Sequence, residues 1–514
     1  MTSGIHHVTL ITRKVQANVD FYVGFLGLRL VKRTGGYEDA EQLHLFYGDK
    51  TGSPGSLVTF LVWEDGSPGR VGHGQVGELA LAIDPASIGF WLERALRFHV
   101  AAEGPMREFG ETVLRLRDRD GVIVKLVGTD RPTGDWTSGD IPLAHAIRGI
   151  RGATVHTETP EQTARFIQRY FGFTHNAREG AIERLVSQAG DIIDVRDGTG
   201  FWPGIPGTGT ADHVAFRSAD TQQLQAVNAS LRKLNSSPTN VHDRKYFTSL
   251  YVREPGGTLF ELATDGPGFT VDEPEETLGT QLFIPPSEMG RASDITAVLP
   301  QFAMPGMERP IYRDLPFVHR FLTPDEPDGS TIVLLHGTGG NEADLMPFAR
   351  RVAPHARLLG VRGRSTEEGV ARWFRRISQT SFDQKDIRAE AEAFAAFTEG
   401  ARAAYGLEDK RTVFLGYSNG ANLLAATMLL HPGLIARAVL LRAAAVLDQP
   451  PAADLSGCVV LVLQGRSDPY GALAPALETA LRAGGANLDV RTLDAGHELV
   501  AADRDAVAEW MASR

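Results

Sequence analysis

Gly4-Ile5-His6-His7-Val8-Thr9-Leu10 and Gly149-Ile150-Arg151-Gly152-Ala153-Thr154-Val155 follow one pattern at an offset of 145 residues. The same offset carries Phe21 to Phe166, Leu26 to Phe171, Gly27 to Gly172 and Leu28 to Phe173. Each copy reads as an apolar strand, an amphipathic helix and a glycine turn into another strand. A second pair follows at nearly the same spacing. Gly77-Glu78-Leu79-Ala80-Leu81-Ala82-Ile83 matches Asp212-His213-Val214-Ala215-Phe216-Arg217, and Asp120–Leu126 matches Gly256–Leu262. Residues 1 to about 270 therefore hold four short βαβββ units of α+β type in two tandem pairs, with domains expected over 1–135 and 145–270.

The character of the chain changes twice beyond the repeats. Over 271–325 proline and glycine thicken, acidic residues cluster at Asp272–Glu276 and periodicity fades, which reads as a covering tail followed by a linker. From there to residue 514, in a domain expected over 326–514, apolar runs alternate with amphipathic helices: Ile332–Leu335, Thr412–Leu415, Ala438–Leu441, Val459–Leu463 and Leu488–Leu493. Buried strands separated by helices predict a mainly parallel α/β sheet. The 514 residues carry a net charge of −11 with both signs scattered, which argues against nucleic acid or an anionic membrane as partner. No apolar run approaches the ~18–20 residues needed to cross a bilayer. A single cysteine, Cys458, leaves no internal disulfide and makes a reducing cytoplasm the default. A homo-oligomer is compatible with all of this.

Gly416-Tyr417-Ser418-Asn419-Gly420 is a G-x-S-x-G motif between the strand Thr412–Leu415 and the helical stretch Ala421–Leu430. Its glycines allow the sharp turn that lifts the Ser418 hydroxyl above the sheet. A serine hydroxyl is a poor nucleophile until a base removes its proton, so a histidine and an acid must follow. Asp468 and His497 follow in that order, each just after a strand, and Asp454 and Asp494 are weaker candidates for the acid. His336-Gly337-Thr338-Gly339-Gly340 supplies one backbone donor for an oxyanion, placed at Thr338, and Asn419 supplies the other. The segment resembles the small carboxylesterase/phospholipase branch of the α/β-hydrolases over residues 331–514, including the pair Trp373-Phe374. The resemblance implies an esterase, thioesterase or acyl-transfer hydrolase without a large lid.

In the repeats, His7 shares a strand face with Thr9 and Ile11, His213 shares one with Ala215, and Glu261 lies on a later strand. Two imidazoles and one carboxylate make the facial triad that leaves metal positions open. The four-unit chain resembles the vicinal oxygen chelate superfamily. That resemblance implies metal ligands at His7 in the first unit and at His213 and Glu261 in the fourth, with the two halves exchanging strands. At the equivalent places in the other pair stand Gly152, Glu78 and Lys125, and an ammonium there would repel a cation. His6 reads as an ordinary core histidine. Fe(II) suits the triad; Mn(II) uses similar ligands, and Zn(II) stays open.

His242 and Tyr251 precede Glu261 at a spacing that resembles the extradiol ring-cleaving dioxygenases, where a histidine moves the phenol proton and a tyrosine orients the bound hydroxyl. Arg244 and Tyr246 share that loop as candidate substrate contacts. The stretches Tyr246–Gly257 and Ile5–Thr9 look like the hydroquinone-type ring-cleaving dioxygenases that protect bacteria against quinones, over residues 1 to about 300. The combined expectation is a bifunctional enzyme acting on a small aromatic compound and dioxygen, with a serine hydrolase behind it. The competing readings are a glyoxalase-like isomerase or thiol-conjugating resistance enzyme fused to an independent esterase, and a non-catalytic module that sequesters an aromatic compound.

Overall fold

A computed structural model describes residues 4–233, 240–309, 314–367, 369–378 and 380–513. The chain forms two compact units, Met1–Gly290 with Phe302–Glu308, and Arg291–Gln301 with Arg309–Arg514.

The first unit contains the four βαβββ repeats. They begin at the strands Ile5–Thr12, Gln75–Ile83, Ile150–Thr157 and Ala211–Ser218. The sheets do not follow the tandem pairs of the sequence. Among the described residues, units one and four build a nine-stranded sheet and units two and three an eight-stranded one. Antiparallel pairing of Ile5–Thr12 with Ala211–Ser218 joins the first sheet and sets His7 opposite Ala215 and Thr9 opposite His213. Ala215 in turn faces Glu261 on the parallel strand Leu259–Thr264. Because side chains alternate along a strand, this register puts His7, His213 and Glu261 on one face. The tail closes the same sheet. Phe269 and Leu278 pack with Val31, Phe46, Leu57, Phe247 and Ala263, and Leu282–Phe283 adds an edge strand beside Arg29–Gly35.

The second sheet has the same register with different chemistry. Gly152 faces Ala80, Thr154 faces Glu78, and Ala80 faces Lys125. The Lys125 ammonium lies 3.1 Å from Glu78 and 3.3 Å from Glu108, while Arg115 holds Glu78 from the other side at 3.0 Å. The Lys125 side chain stands where the first sheet places Glu261. A side chain at Gly152 is also excluded, since a Cβ there would meet the Ile192 carbonyl oxygen at 2.3 Å.

The second unit is built on a seven-stranded sheet, again counted among the described residues. Thr331–Leu335, Arg357–Val361, Thr412–Tyr417, Arg437–Leu441, Val459–Gly465 and Asn487–Leu493 run parallel, and His319–Leu322 adds an antiparallel edge. Arg357–Val361 and His319–Leu322 carry no clear alternation or long apolar run, and the sequence pattern passes over both. His319–Leu322 and the helix Ala292–Val298 come from the stretch read as tail and linker. The helix Asn419–Leu430 is apolar nearly all round, as a helix sandwiched between sheet and further helices must be. Among the described residues, no helix is long and apolar enough to cross a membrane.

The ion cluster of the second sheet is expected to be structural. Lys125→Met leaves a buried carboxylate short of a partner and should cost about 3 kcal/mol, read as a lower urea midpoint of the first unit. Adding Glu78→Gln should recover part of that loss. An unchanged midpoint for Lys125→Met would contradict this role.

Candidate metal centre and serine site

His7, His213 and Glu261 converge as the register requires. His7 Nε2 stands 3.3 Å from His213 Nε2 and 3.2 Å from Glu261 Oε2, and His213 Nε2 is 2.7 Å from the same oxygen. Three ligands held at right angles about 2.1 Å from one ion are about 3 Å apart, so the triangle has the size of a facial site. All three residues are buried, and the cluster is a group that could hold a metal ion. Burial would raise the Glu261 carboxyl, but His7 and His213 hold it well below the usual carboxylate range. Glu261 Oε2 faces the two imidazoles without a well-formed hydrogen bond, while Ser249 Oγ donates to Oε1 at 2.5 Å.

Neighbouring groups orient these side chains. Asp212 Oδ2 lies 2.7 Å from His213 Nδ1, which leaves Nε2 facing the triangle. His6 is not an idle core residue: its Nδ1 lies 2.9 Å from His7 Nδ1, so it fixes the second imidazole in the same way. Only the adjacent histidine in the sequence hints at that role. His44 was also passed over. It sits on Leu43–Gly48, bonded to Thr59 Oγ1 at 3.0 Å, and Thr59 reaches Thr9 at 2.9 Å. Burial, with His7 and His213 adding to it, pushes His44 down to about 3, so it lines the site as a neutral ring.

The second-row candidates are partly gathered. The Tyr251 ring is 5.4 Å from His213 and 6.0 Å from His242, and Tyr251 faces Glu261 across the strand pair. Burial and the Glu261 charge push its phenol up, so it stays a hydroxyl. The Arg244 guanidinium lies over Tyr37 and Tyr251 and reaches Glu38 at 3.1 Å. Tyr246 is not with them. Its hydroxyl donates to Asp272 at 2.9 Å and its ring packs on Phe269 under the tail.

In the second unit, Ser418 has φ 51° and ψ −114°, a strained conformation for a side-chain-bearing residue. A Cβ at Gly420 would meet the Leu335 carbonyl oxygen at 2.2 Å, which is why the elbow needs glycine there. His497 Nε2 is 2.9 Å from Ser418 Oγ, and its Nδ1 is 2.9 Å from Asp468 Oδ2. The Asp468 side chain is almost fully buried. His336 braces the Thr338 loop: its Nδ1 bonds the Gly337 carbonyl at 2.6 Å, and its Nε2 accepts from the Gly363 N–H at 2.9 Å.

Arg442 holds the histidine loop, and no motif signals it. With φ 54° and no exposed side-chain surface, it forms a two-pronged pair with Asp503 at 2.7 and 2.8 Å. It also donates to the carbonyls of Gly496 and Glu498, on either side of His497, at 2.9 and 3.1 Å.

Residues 4–126 match the model of the Glyoxalase/Bleomycin resistance protein/Dioxygenase superfamily, and residues 319–503 that of Phospholipase/Carboxylesterase. The "Putative ring-cleaving dioxygenase MhqO" of Bacillus subtilis is 38% identical over 289 residues, covering 55% of this chain and 91% of its own. The chlorohydroquinone/hydroquinone 1,2-dioxygenase of Sphingobium indicum is 32% identical over 302 residues, 56% of this chain and 92% of its own. The chain belongs to the ring-cleaving dioxygenase family. Its second unit adds a carboxylesterase-like hydrolase, 33% identical over 183 residues to the "Putative hydrolase MhqD" of Bacillus subtilis, or 35% of this chain and 92% of that one. The dioxygenase thus carries His7, His213 and Glu261 together on one sheet, and the fused hydrolase carries Ser418, His497 and Asp468 in hydrogen-bonded sequence.

Displacing the histidine loop should be costly. Arg442→Met is expected to lower ester-hydrolysis kcat by roughly 100-fold with little change in KM, since a shift of about 1 Å is enough. Steady-state kinetics on folded protein checks this, and a kcat within threefold of the parent would refute it.

Proposed function

We propose that the first unit performs Fe(II)-dependent extradiol-type ring cleavage of hydroquinone-like aromatics, and that the second is a serine carboxylic-ester hydrolase acting in aromatic or quinone detoxification. The observation that carries the first reading is the 2.7–3.3 Å triangle of His7, His213 and Glu261 on one buried sheet face. The similarity to a hydroquinone 1,2-dioxygenase supports it. Fe(II) fits the donor set best, with Mn(II) as the alternative. When bound, the ion would offer open positions to a ring hydroxyl and dioxygen. His242 takes the phenol proton and returns it later, while Tyr251 orients the bound hydroxyl. Arg244, stacked between Tyr37 and Tyr251, borders the ring. Both oxygen atoms enter the product. The ring bond between the hydroxyl-bearing carbon and its neighbour breaks, leaving a carboxylate on one side and a carbonyl on the other.

In the hydrolase, His497 accepts the Ser418 proton as Oγ attacks the substrate carbonyl, and Asp468 stabilises the imidazolium. The backbone N–H groups of Thr338 and Asn419 receive the oxyanion. The C–O bond breaks, His497 protonates the leaving alcohol, and water then releases the acid by the same route. A ring-opened compound carries a carbonyl but no ester, so the two activities would be sequential if this half also attacks such a carbonyl and breaks the adjoining C–C bond.

Protein loaded anaerobically with Fe(II) should consume one dioxygen per hydroquinone or methylhydroquinone and form a ring-fission chromophore. His213→Ala and Glu261→Gln should abolish uptake and lose more than the roughly 10–100-fold in metal affinity that an outer partner costs. A chromophore that persists only in Ser418→Ala protein would establish sequential action. Absence of uptake with either diphenol would reject the dioxygenase reading in favour of a glyoxalase-like isomerase.

A further inference from the structure

The second unit contains a buried cation, Arg372, that no carboxylate among its described residues neutralises. Its short hairpin pairs Ser365–Glu367 with Val370–Arg372 and then runs into Trp373. Neighbouring arginines have carboxylate partners: Arg362 with Glu342, Arg364 with Glu390 and Arg375 with Glu367. Arg372 is different. It is 7% exposed, its buried Nε has no hydrogen-bond partner, and no ion pair among the described residues includes it. A guanidinium with its Nε shut away from water and no acceptor for it is costly unless an anion completes it.

The position of Arg372 says which ligand. The residue before it, Ala371, accepts a hydrogen bond from Gly339 N–H at 2.8 Å, in the loop that carries Thr338. The residue after it, Trp373, donates its N–H to Asn419 Oδ1 at 2.8 Å and its indole N–H to the His336 carbonyl at 2.8 Å. Both arms of the proposed oxyanion hole are therefore tied to the hairpin strand on either side of Arg372. A guanidinium is matched in shape and charge to a carboxylate, which it binds through two parallel N–H···O bonds.

We propose that Arg372 binds a carboxylate of the hydrolase's substrate, so that this site selects acyl compounds carrying a carboxylate close to the carbonyl that is attacked. The inference rests on the reading of Ser418, His497 and Asp468 as a hydrolytic triad. It narrows the substrate class from esters in general to monoesters of short dicarboxylic acids and acyl compounds of the same charge.

The test compares 4-nitrophenyl hemisuccinate with the uncharged 4-nitrophenyl pentanoate, using the full chain and subtracting the uncatalysed rate. The parent protein should favour the hemisuccinate in kcat/KM. Arg372→Met should lower that value roughly 10–100-fold for the hemisuccinate and less than threefold for the pentanoate. Arg372→Lys should recover part of the preference, and the parent's preference should weaken as salt rises. Labelling of Ser418 by a fluorophosphonate at the parental rate would show that the variants remain folded and competent. Equal losses on both esters with labelling intact, or a parent that prefers the pentanoate, would overturn the assignment while leaving the triad in place. If neither ester is cleaved and Ser418 does not label, the hydrolase reading fails and the Arg372 assignment with it.

Discussion

The pairing of Ile5–Thr12 with Ala211–Ser218 is the constraint on which the cluster of His7, His213 and Glu261 depends. The two strands lie some two hundred residues apart in sequence, and only their antiparallel register sets His7 level with Ala215 and, through Ala215, with Glu261. A slip of one residue would turn the histidines to the opposite face. The tail reinforces this arrangement from the side: Phe269 and Leu278 bury against Val31 and Phe46, and the Lys32 ammonium, itself buried, is neutralised by Asp272 and Glu273 at 2.9 and 2.7 Å. A site whose ligands come from the first and fourth units forms only after the whole repeat array has closed, so the intervening sheet is part of its scaffold.

The two sheets give contrasting answers to one electrostatic problem. In the first, Glu261 is a buried carboxylate whose partners are two imidazoles, groups that give up their protons readily to a metal ion. In the second, Glu78 is also buried, but Lys125 and Arg115 bring permanent positive charge to it. A carboxylate so paired has no call on a cation from solution. Gly152 completes the divergence, because the Ile192 carbonyl occupies the space a third ligand's Cβ would need. The same register occurs twice, with His7, His213 and Glu261 gathered in one copy and an ion cluster in the other.

What could be read from the sequence was whatever repeats or turns sharply. The offset of 145 residues exposed the four units, and substitution of Gly152, Glu78 and Lys125 at the matching places distinguished one sheet from the other. Ser418, Asp468 and His497 were legible because each follows a strand end. Groups that act through long-range packing were not. His44 and Thr59 reach the metal face from a hairpin with no motif, and Arg442 meets Gly496, Glu498 and Asp503 across more than fifty residues. Tyr246 shows the opposite limit: its place in a family-like segment suggested substrate, yet Asp272 engages its hydroxyl and the tail covers its ring. Local pattern reports which strand a residue is on, but not what approaches that strand from elsewhere in the chain.

Arg442 and Arg372 show how to tell a buried charge that holds a fold from one that receives a ligand. Arg442 is completely buried, but every donor direction is answered: two carboxylate oxygens and the carbonyls beside His497 use the guanidinium fully. Removing it would leave Asp503 uncompensated, and the histidine loop would lose its anchor. Arg372 is nearly as buried, yet its Nε is unanswered, while among the described residues Arg362, Arg364 and Arg375 pair with Glu342, Glu390 and Glu367. Because its two chain neighbours hold the loops of the oxyanion site, the anion that would repay the cost of burial is one that arrives with the substrate.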